Sequence, residues 1–123
     1  MGAVGQRGAI MAMKVVLPID FSPRSERLIR QAAERKWPPG TEMLVLGAVD
    51  NIPPSAAELY FDAGGSVNAL MEARQRRVEG LVAEAAGVLR GSGLAVETRV
   101  RRGRMRRALA AEIREAPANL VLK

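Results

Sequence analysis

Four short apolar runs alternate along the chain with segments whose apolar residues recur at helical spacing. The runs at 14–20 (KVVLPID) and 43–49 (MLVLGAV) are nearly continuous, which is typical of strands buried on both faces of a parallel sheet. Residues 94–100 alternate between apolar and polar side chains and predict a half-exposed strand at a sheet edge. The run NLVL at 119–122 predicts a fourth buried strand.

Helices are predicted in the segments between these runs. Ser22 is a suitable N-cap for a helix over 23–37, with proline at its first position. Apolar residues over 67–89 recur on one face of a long helix, and another helix is predicted over 105–116. A loop rich in Pro and Gly, at 50–66, contains a short helical turn near its middle.

The order β-α-β-α-β-α-β predicts one α/β domain. Helices cover both faces of a doubly wound parallel sheet with four strands, which gives three layers. Ligands of such sheets bind beyond the carboxyl ends of the strands, where the strand order reverses. The residues expected on this rim are Asp20, Phe21, Asp50 and Gly103.

The composition excludes several kinds of chemistry. Cysteine and histidine are both absent, which rules out disulfides, Cys- or His-based zinc sites, and Ser-His-Asp or Cys-His catalysis by these residues. We therefore do not expect an enzyme. We expect an intracellular, cytoplasmic location, because the first residues do not resemble a secretory signal. No apolar run reaches about 18 residues, so no membrane span is expected.

The net charge of +6 comes mostly from arginine and has two interpretations. It could serve acidic partners such as phosphates, or it could reflect a GC-rich genome that encodes Arg in place of Lys. The six arginines within 99–107 form either a phosphate-facing group or a solvated basic rim. Arg76 and Arg77 are predicted on the solvent face of the long helix, unlike Arg74. Aromatic residues make up only 3%, too few for the base stacking of single-strand nucleic-acid binders, so nucleic acid is not an expected partner.

Asp20 has two interpretations from the residues alone. Because it follows a strand and precedes a helix, its carboxylate could contact a ligand on the rim or interact favourably with the helix dipole. Ser22 is expected to cap the helix and not to act as a nucleophile, because no base is present to activate it.

Four stretches, taken in order, resemble the universal stress protein family. KVVLPIDFS at 14–22 is similar to its opening strand, and LVLGAVD at 44–50 is similar to its second strand, where a His commonly stands at the position of Gly47. VRRG at 100–103 looks like the end of the third strand, and NLVL at 119–122 looks like the fourth, which an Asp usually opens. Each motif is short, and the specificity comes from their order and spacing together.

The resemblance implies a Rossmann-like, adenine nucleotide α-hydrolase-like fold with five strands. It also implies a stress-response regulatory module that binds ATP or another adenine nucleotide and forms dimers. In the family, the end of the first strand and the second strand hold the base. The candidate cofactor-binding residues are therefore Pro18, Ile19, Asp20, Ala48 and Val49, together with Gly103 on the same rim.

Family members hold the phosphates and ribose in a Gly-x2-Gly-x9-Gly-Ser/Thr segment after the fourth strand, and the sequence ends before such a segment. We therefore expect a truncated domain without the fifth strand, and weak or no nucleotide binding by these residues alone. The alternative is a nucleotide-independent protein-interaction module of the same fold. The exposed sheet edge is expected to support a homodimer or another association. We expect residues 1–13 to be a disordered extension and residues 14–123 to be the domain.

Overall fold

A computed structural model describes residues 13–62, 64–115 and 120–122. The strands are β1 (Lys14–Pro18), β2 (Glu42–Val49), β3 (Ala95–Arg102) and β4 (Leu120–Val121). The helices are α1 (Pro23–Glu34), α2 (Pro54–Asp62), α3 (Val67–Gly91) and α4 (Met105–Glu115). These elements follow the predicted order, and the helical turn expected inside the loop is the complete helix α2.

The described strands form one parallel sheet with the order β3-β2-β1-β4. This is a Rossmann-like α/β fold, as predicted. The chain moves outward from β1 through β2 to β3 and then returns to the other side of β1, so the strand order reverses between β1 and β4. The predicted edge position of β3 is confirmed, because β3 is the terminal strand of this order; its two valines are half-buried and most of its polar residues are exposed.

Two hydrophobic clusters show why the sheet is covered on both faces. Side chains alternate along each strand, so neighbouring residues of β1 and β2 enter opposite layers. On one face α1 and α3 bury a cluster of Val15, Leu17, Ile19, Leu28, Ala32, Met43, Val45, Val82, Ala85 and Leu89. On the other face α4 covers a smaller cluster of Val16, Leu44, Leu46 and Ala108. Each fully buried Val or Leu stabilises the fold by about 1.5–3 kcal/mol, and the continuous apolar strands of the sequence follow from this double burial.

Gly47 lets α3 lie close to β2. A Cβ atom at this position would be 2.6 Å from Cγ1 of Val78 and 3.0 Å from Cγ1 of Val82. Ordinary carbon contacts are about 3.5–4.0 Å, so no larger residue fits unless the helix moves. The glycine therefore determines the distance between the long helix and the sheet.

Two sequence predictions concern the ends of the described segments. Of the predicted extension 1–13, only Met13 is described: it packs against the core, and its carbonyl accepts a hydrogen bond of 2.8 Å from the amide of Glu42. Residues 1–12 and Asn119 lie outside the described residues. Among the helices that the structure describes, none is long and apolar enough to cross a membrane.

Candidate functional site at the carboxyl ends of the strands

Asp20 is fixed by two serines immediately after β1. Its Oδ1 atom accepts hydrogen bonds from the amide of Ser22 and the hydroxyl of Ser25, both at 2.9 Å, and from the hydroxyl of Ser22. Ser25 is buried, and its oxygen also accepts a bond of 2.9 Å from the amide of Asp20. The carboxylate therefore has one defined orientation.

The N-cap role predicted for Ser22 is only half correct. Ser22 occupies the N-cap position of α1, but its side chain makes no capping hydrogen bond. An N-cap hydroxyl oxygen accepts a hydrogen bond from an amide of the first helical turn, whereas the Ser22 hydroxyl donates to the ionised carboxylate of Asp20, which also accepts from the Ser22 amide in a local turn. The serine holds Asp20 and leaves the helix end uncapped.

The hydrogen bonds to Asp20 have an electrostatic consequence. Donation from the Ser22 hydroxyl and the Ser22 amide lowers the pKa of Asp20 below its ordinary value, with smaller contributions from Ser25 and from the charge of Arg24. Hydrogen bonds to the charged form favour that form. Because all three donors reach Oδ1, the other carboxylate oxygen accepts no hydrogen bond from the described residues and can accept one from a ligand.

A cleft of about 430 Å³ opens beside the end of β2. This volume lies within the range of about 300–1,000 Å³ that is usual for small-molecule sites. The cleft combines an apolar wall with an acidic group and two basic groups, a mixture suited to a ligand with a flat apolar part and charged substituents. Its lining residues, which define the rim cleft, are Phe21, Ala48, Val49, Asp50, Leu70, Arg74, Arg77 and Val78.

Phe21 and Arg77 separate the rim cleft from a second cleft beside Asp20. The guanidinium of Arg77 lies 5.1 Å from the centre of the Phe21 ring, in cation–π contact. Phe21 is 57% exposed. The second cleft, of about 420 Å³, includes Asp20, Ser22 and Glu26 and shares the same Phe21–Arg77 wall.

A family model described as "Universal stress protein family" matches residues 11–123. The chain belongs to the universal stress protein family.

Solved structures of this family share the fold at low sequence identity. UspA from Lactobacillus plantarum is 13% identical, with a TM-score of 0.65, 89% of this chain covered and 74% of that one. A family protein from Burkholderia pseudomallei is 16% identical, with a TM-score of 0.67 and coverages of 90% and 80%. A family protein from Arabidopsis thaliana, solved with AMP bound, is 14% identical, with a TM-score of 0.53 and coverages of 90% and 76%. No curated protein sequence matches significantly.

Within this universal stress protein domain, the six candidate cofactor-binding residues occupy different environments. Asp20 is exposed on the rim, and Ala48 and Val49 line the rim cleft. The side chain of Ile19 is buried in the core, so this residue offers a ligand only its backbone, whose amide already donates to the carbonyl of Leu46 at 2.9 Å. Pro18 is half-buried at the end of β1.

Gly103 lies at the far edge of the rim. It has a φ of 111°, which favours glycine, and its amide donates a hydrogen bond of 2.9 Å to the carbonyl of Val49. Gly103 follows β3 and Asp20 follows β1, and β2 lies between these two strands. Gly103 therefore supports the end of β2 and lines neither of the two rim clefts.

The arginines within 99–107, which the sequence left open as a phosphate-facing group or a solvated rim, do not act as one group in the structure. Glu112 of α4 is 1% exposed and holds two residues of β3: Arg99 at 2.6 Å and Arg101 through its Nε atom. Arg101 also pairs with Glu115 at 2.6 Å. Arg99 and Arg101 therefore join β3 to α4 instead of facing a ligand. The Glu112 hydrogen bond raises the pKa of Arg101, which keeps its charge.

Sequence reasoning missed four residues of the rim cleft, all in α3: Leu70, Arg74, Arg77 and Val78. Arg77 is exposed, as predicted, but it also lines the rim cleft. The signal was available, because residues three and four apart on a helix share a face, and Arg74 and Arg77 lie between Leu70 and Val78 at this spacing. Within the described residues, no group of three acidic side chains is placed to hold a metal ion.

Proposed function

We propose that this protein is a stress-response regulatory module that binds an adenine nucleotide, ATP or a related one, on the rim formed by the carboxyl ends of β1 and β2. The nucleotide acts as a regulatory ligand and not as a substrate. Partner recognition includes association of two copies through the β4 edge of the sheet. The cytoplasmic location expected from the sequence is part of the same proposal.

One observation carries this proposal: a base-sized cleft lies on the rim where α/β sheets bind ligands, and the oriented, ionised Asp20 lies across the Phe21–Arg77 wall from it. The apolar wall of Ala48, Val49 and Leu70 suits the face of a purine. The carboxylate of Asp50 accepts hydrogen bonds from hydroxyl groups such as those of a ribose. The AMP bound to the Arabidopsis relative supports the choice of an adenine nucleotide.

The affinity of the 123-residue chain is expected to be low. The rim cleft supplies contacts for the base and for a ribose hydroxyl, whereas in the family pattern a glycine-rich segment after the fourth strand holds the ribose and the phosphates. At about 0.3 kcal/mol per non-hydrogen atom, an adenine ring contributes about 3 kcal/mol, which corresponds to millimolar dissociation constants. A method that detects weak binding is therefore required.

The test is a titration of the isotope-labelled chain with AMP. Binding is monitored through the amide NMR signals of Ala48, Val49 and Asp50. These signals should move in a saturable way. Leu70→Trp should abolish the response, because it fills the rim cleft. Val88→Trp is the matched control, since Val88 lies on the same helix, is 50% exposed and does not line the rim cleft. Shifts confined to other parts of the sheet, or equal effects of the two variants, would contradict the proposed site.

A groove between α1 and α3 favours the second candidate, a nucleotide-independent interaction module. The groove has a volume of about 370 Å³ and an apolar floor that includes Ile29, Leu81 and Val88. Exposed apolar surface of this kind is often found at protein interfaces. Under this alternative, AMP leaves the signals of the rim residues unchanged, so the same titration separates the two candidates.

A further inference from the structure

The rim cleft carries an excess of positive charge. Two arginines line it, Arg74 and Arg77, against one acidic residue, Asp50. In the part of the chain that the structure describes, no ion pair involves Arg74 or Arg77. Neither arginine of the cleft therefore has a carboxylate partner at ion-pair distance.

We propose that Arg74 and Arg77 form an anion-binding subsite that holds the phosphate group of the ligand in the rim cleft. The proposal rests on the proposed function for the identity of the ligand, but the subsite also accepts an inorganic phosphate or pyrophosphate. The ligand class is a phosphate ester that carries a flat apolar base. The phosphate then lies on the α3 side of the cleft, and the base lies against the end of β2.

The helix places the two guanidinium groups on the same side of one ligand position. Residues three apart on a helix are neighbours, with Cβ atoms about 5–6 Å apart. Arginine presents planar donors that match phosphate oxygens in pairs, and such charge-assisted hydrogen bonds are about twice as strong as neutral ones. Two arginines at this spacing can therefore grip a single phosphate from adjacent sides.

The contact with Phe21 reduces the entropic cost of binding at Arg77. A free arginine loses about 2 kcal/mol of side-chain conformational entropy when it is fixed. The Phe21 ring already restrains the Arg77 guanidinium at 5.1 Å, at the boundary of the cleft. Arg74 is half-buried, so its aliphatic stem is restrained by neighbouring side chains.

Positive charge continues beyond the cleft along the rim. Arg102, the last residue of β3, donates a hydrogen bond of 3.3 Å from Nε to the side-chain oxygen of Gln75. Since Gln75 is next to Arg74 in α3, this contact brings a third guanidinium to the neighbourhood of the subsite. The added charge attracts anions to the rim over about 10 Å at moderate salt.

Arg76 makes the opposing explanation testable. If the arginines of α3 only keep the helix surface solvated, then Arg74, Arg76 and Arg77 should respond alike to an anion. Arg76 belongs to the same helix and is exposed, but it does not line the cleft. It is therefore the matched control for Arg74 and Arg77.

The experiment uses the isotope-labelled 123-residue chain and follows the Nε–Hε NMR signals of the arginines. Inorganic pyrophosphate is titrated first, at constant ionic strength, and AMP and adenosine follow. The signals of Arg74 and Arg77 should shift in a saturable way while that of Arg76 stays constant. The Arg74→Gln, Arg77→Gln double variant should weaken pyrophosphate binding at least about tenfold, and Arg76→Gln less than about twofold.

The outcomes separate this subsite from the proposed function. Equal shifts at all three arginines, or equal losses in the two variants, would overturn the subsite. AMP should bind about tenfold more tightly than adenosine; equal affinities would reject the subsite and leave adenine binding intact. Pyrophosphate binding at Arg74 and Arg77 without any binding of AMP or adenosine would support the subsite and reject the proposed function. If none of the three compounds binds, both are wrong.

Discussion

Replacing Gly47 by alanine adds one methyl group between β2 and α3. The new Cβ would lie 2.6 Å from Cγ1 of Val78 and 3.0 Å from Cγ1 of Val82. Both valines have short branched side chains with one preferred χ1 rotamer in a helix, so neither can turn away easily. The overlap can only be relieved by a shift of the helix or of the strand.

The expected cost follows from the size of this overlap. A contact of 2.6 Å is about 1 Å shorter than an ordinary carbon contact. Overpacking of this kind costs about 1–3 kcal/mol in well-packed cores. For a domain of this length, that loss lowers the melting temperature by about 4–12 °C.

The assay is a double-mutant cycle measured by urea unfolding and far-UV circular dichroism. Val78→Ala alone should cost about 1.5 kcal/mol, because it removes two methyl groups from the core. In that background, Gly47→Ala should cost less than about 1 kcal/mol, because the closer of its two clashing atoms is gone. The reasoning would be refuted if Gly47→Ala cost the same in both backgrounds or were neutral in the original protein.

Gly87→Ala controls for the general effect of replacing a glycine. Gly87 lies in α3 and is exposed, and no neighbouring side chain comes within 4 Å of the position that a Cβ atom would take there. Alanine at an exposed helical position is more favourable than glycine by about 0.5–1 kcal/mol. This variant should therefore be more stable than the original protein, which is the opposite sign to Gly47→Ala.

Two further predictions concern charged groups. Ser22→Ala removes the hydroxyl that lowers the pKa of Asp20, so that pKa, followed by carboxyl 13C NMR, should rise toward 3.8. A carboxyl group whose pKa is lowered in the folded state stabilises the fold at pH values above its unfolded-state pKa, and this stabilisation is lost as the pH falls through the folded-state pKa. The variant should therefore be less stable at neutral pH but not in strong acid. An unchanged titration curve of Asp20 would contradict the role of the Ser22 hydroxyl. Glu112→Gln should lower the unfolding free energy by about 1–3 kcal/mol, because Arg99 keeps its positive charge but loses the buried carboxylate of Glu112. Glu115→Gln, at a side chain that is 62% exposed, should cost less than about 0.5 kcal/mol in the same urea experiment, and equal losses would count against a special role for Glu112.

The fold was largely predictable because its determinants are local. Nearly continuous apolar runs identify β1 and β2, proline and glycine mark the ends of the helices, and the alternation over 94–100 identifies an edge strand. What the local pattern could not show was how closely layers approach. Gly47 looks like an ordinary glycine in a strand, and only the position of Val78 across the layer reveals that a side chain is excluded there.

The candidate site was less predictable because its charges are assigned by contacts between distant residues. Strand alternation puts Arg99 and Arg101 on the face opposite to Arg102, but it does not show that Glu112 meets them there; Glu112 is 13 and 11 residues away and belongs to a helix packed over the sheet. The contact between Ser22 and Asp20 was equally hidden, since the sequence does not show whether a serine before a helix accepts from the helix amides or donates to a nearby carboxylate. Arg77 could have been placed by helical phase alone.

Gly47 links the packing of the sheet to the chemistry of the rim. Because a Cβ at Gly47 would collide with Val78, the glycine allows that part of α3 to lie close to β2. Val78 lines the rim cleft, and Arg74, one helical turn earlier, lines it as well. A larger residue at Gly47, such as the histidine common in the family pattern, would push α3 outward and carry Arg74 away from the end of β2. The close packing of α3 on Gly47 therefore keeps the guanidinium of Arg74 near the end of β2, where the proposed ligand lies. Gly47→Ala should accordingly weaken pyrophosphate binding as well as lower the stability of the fold.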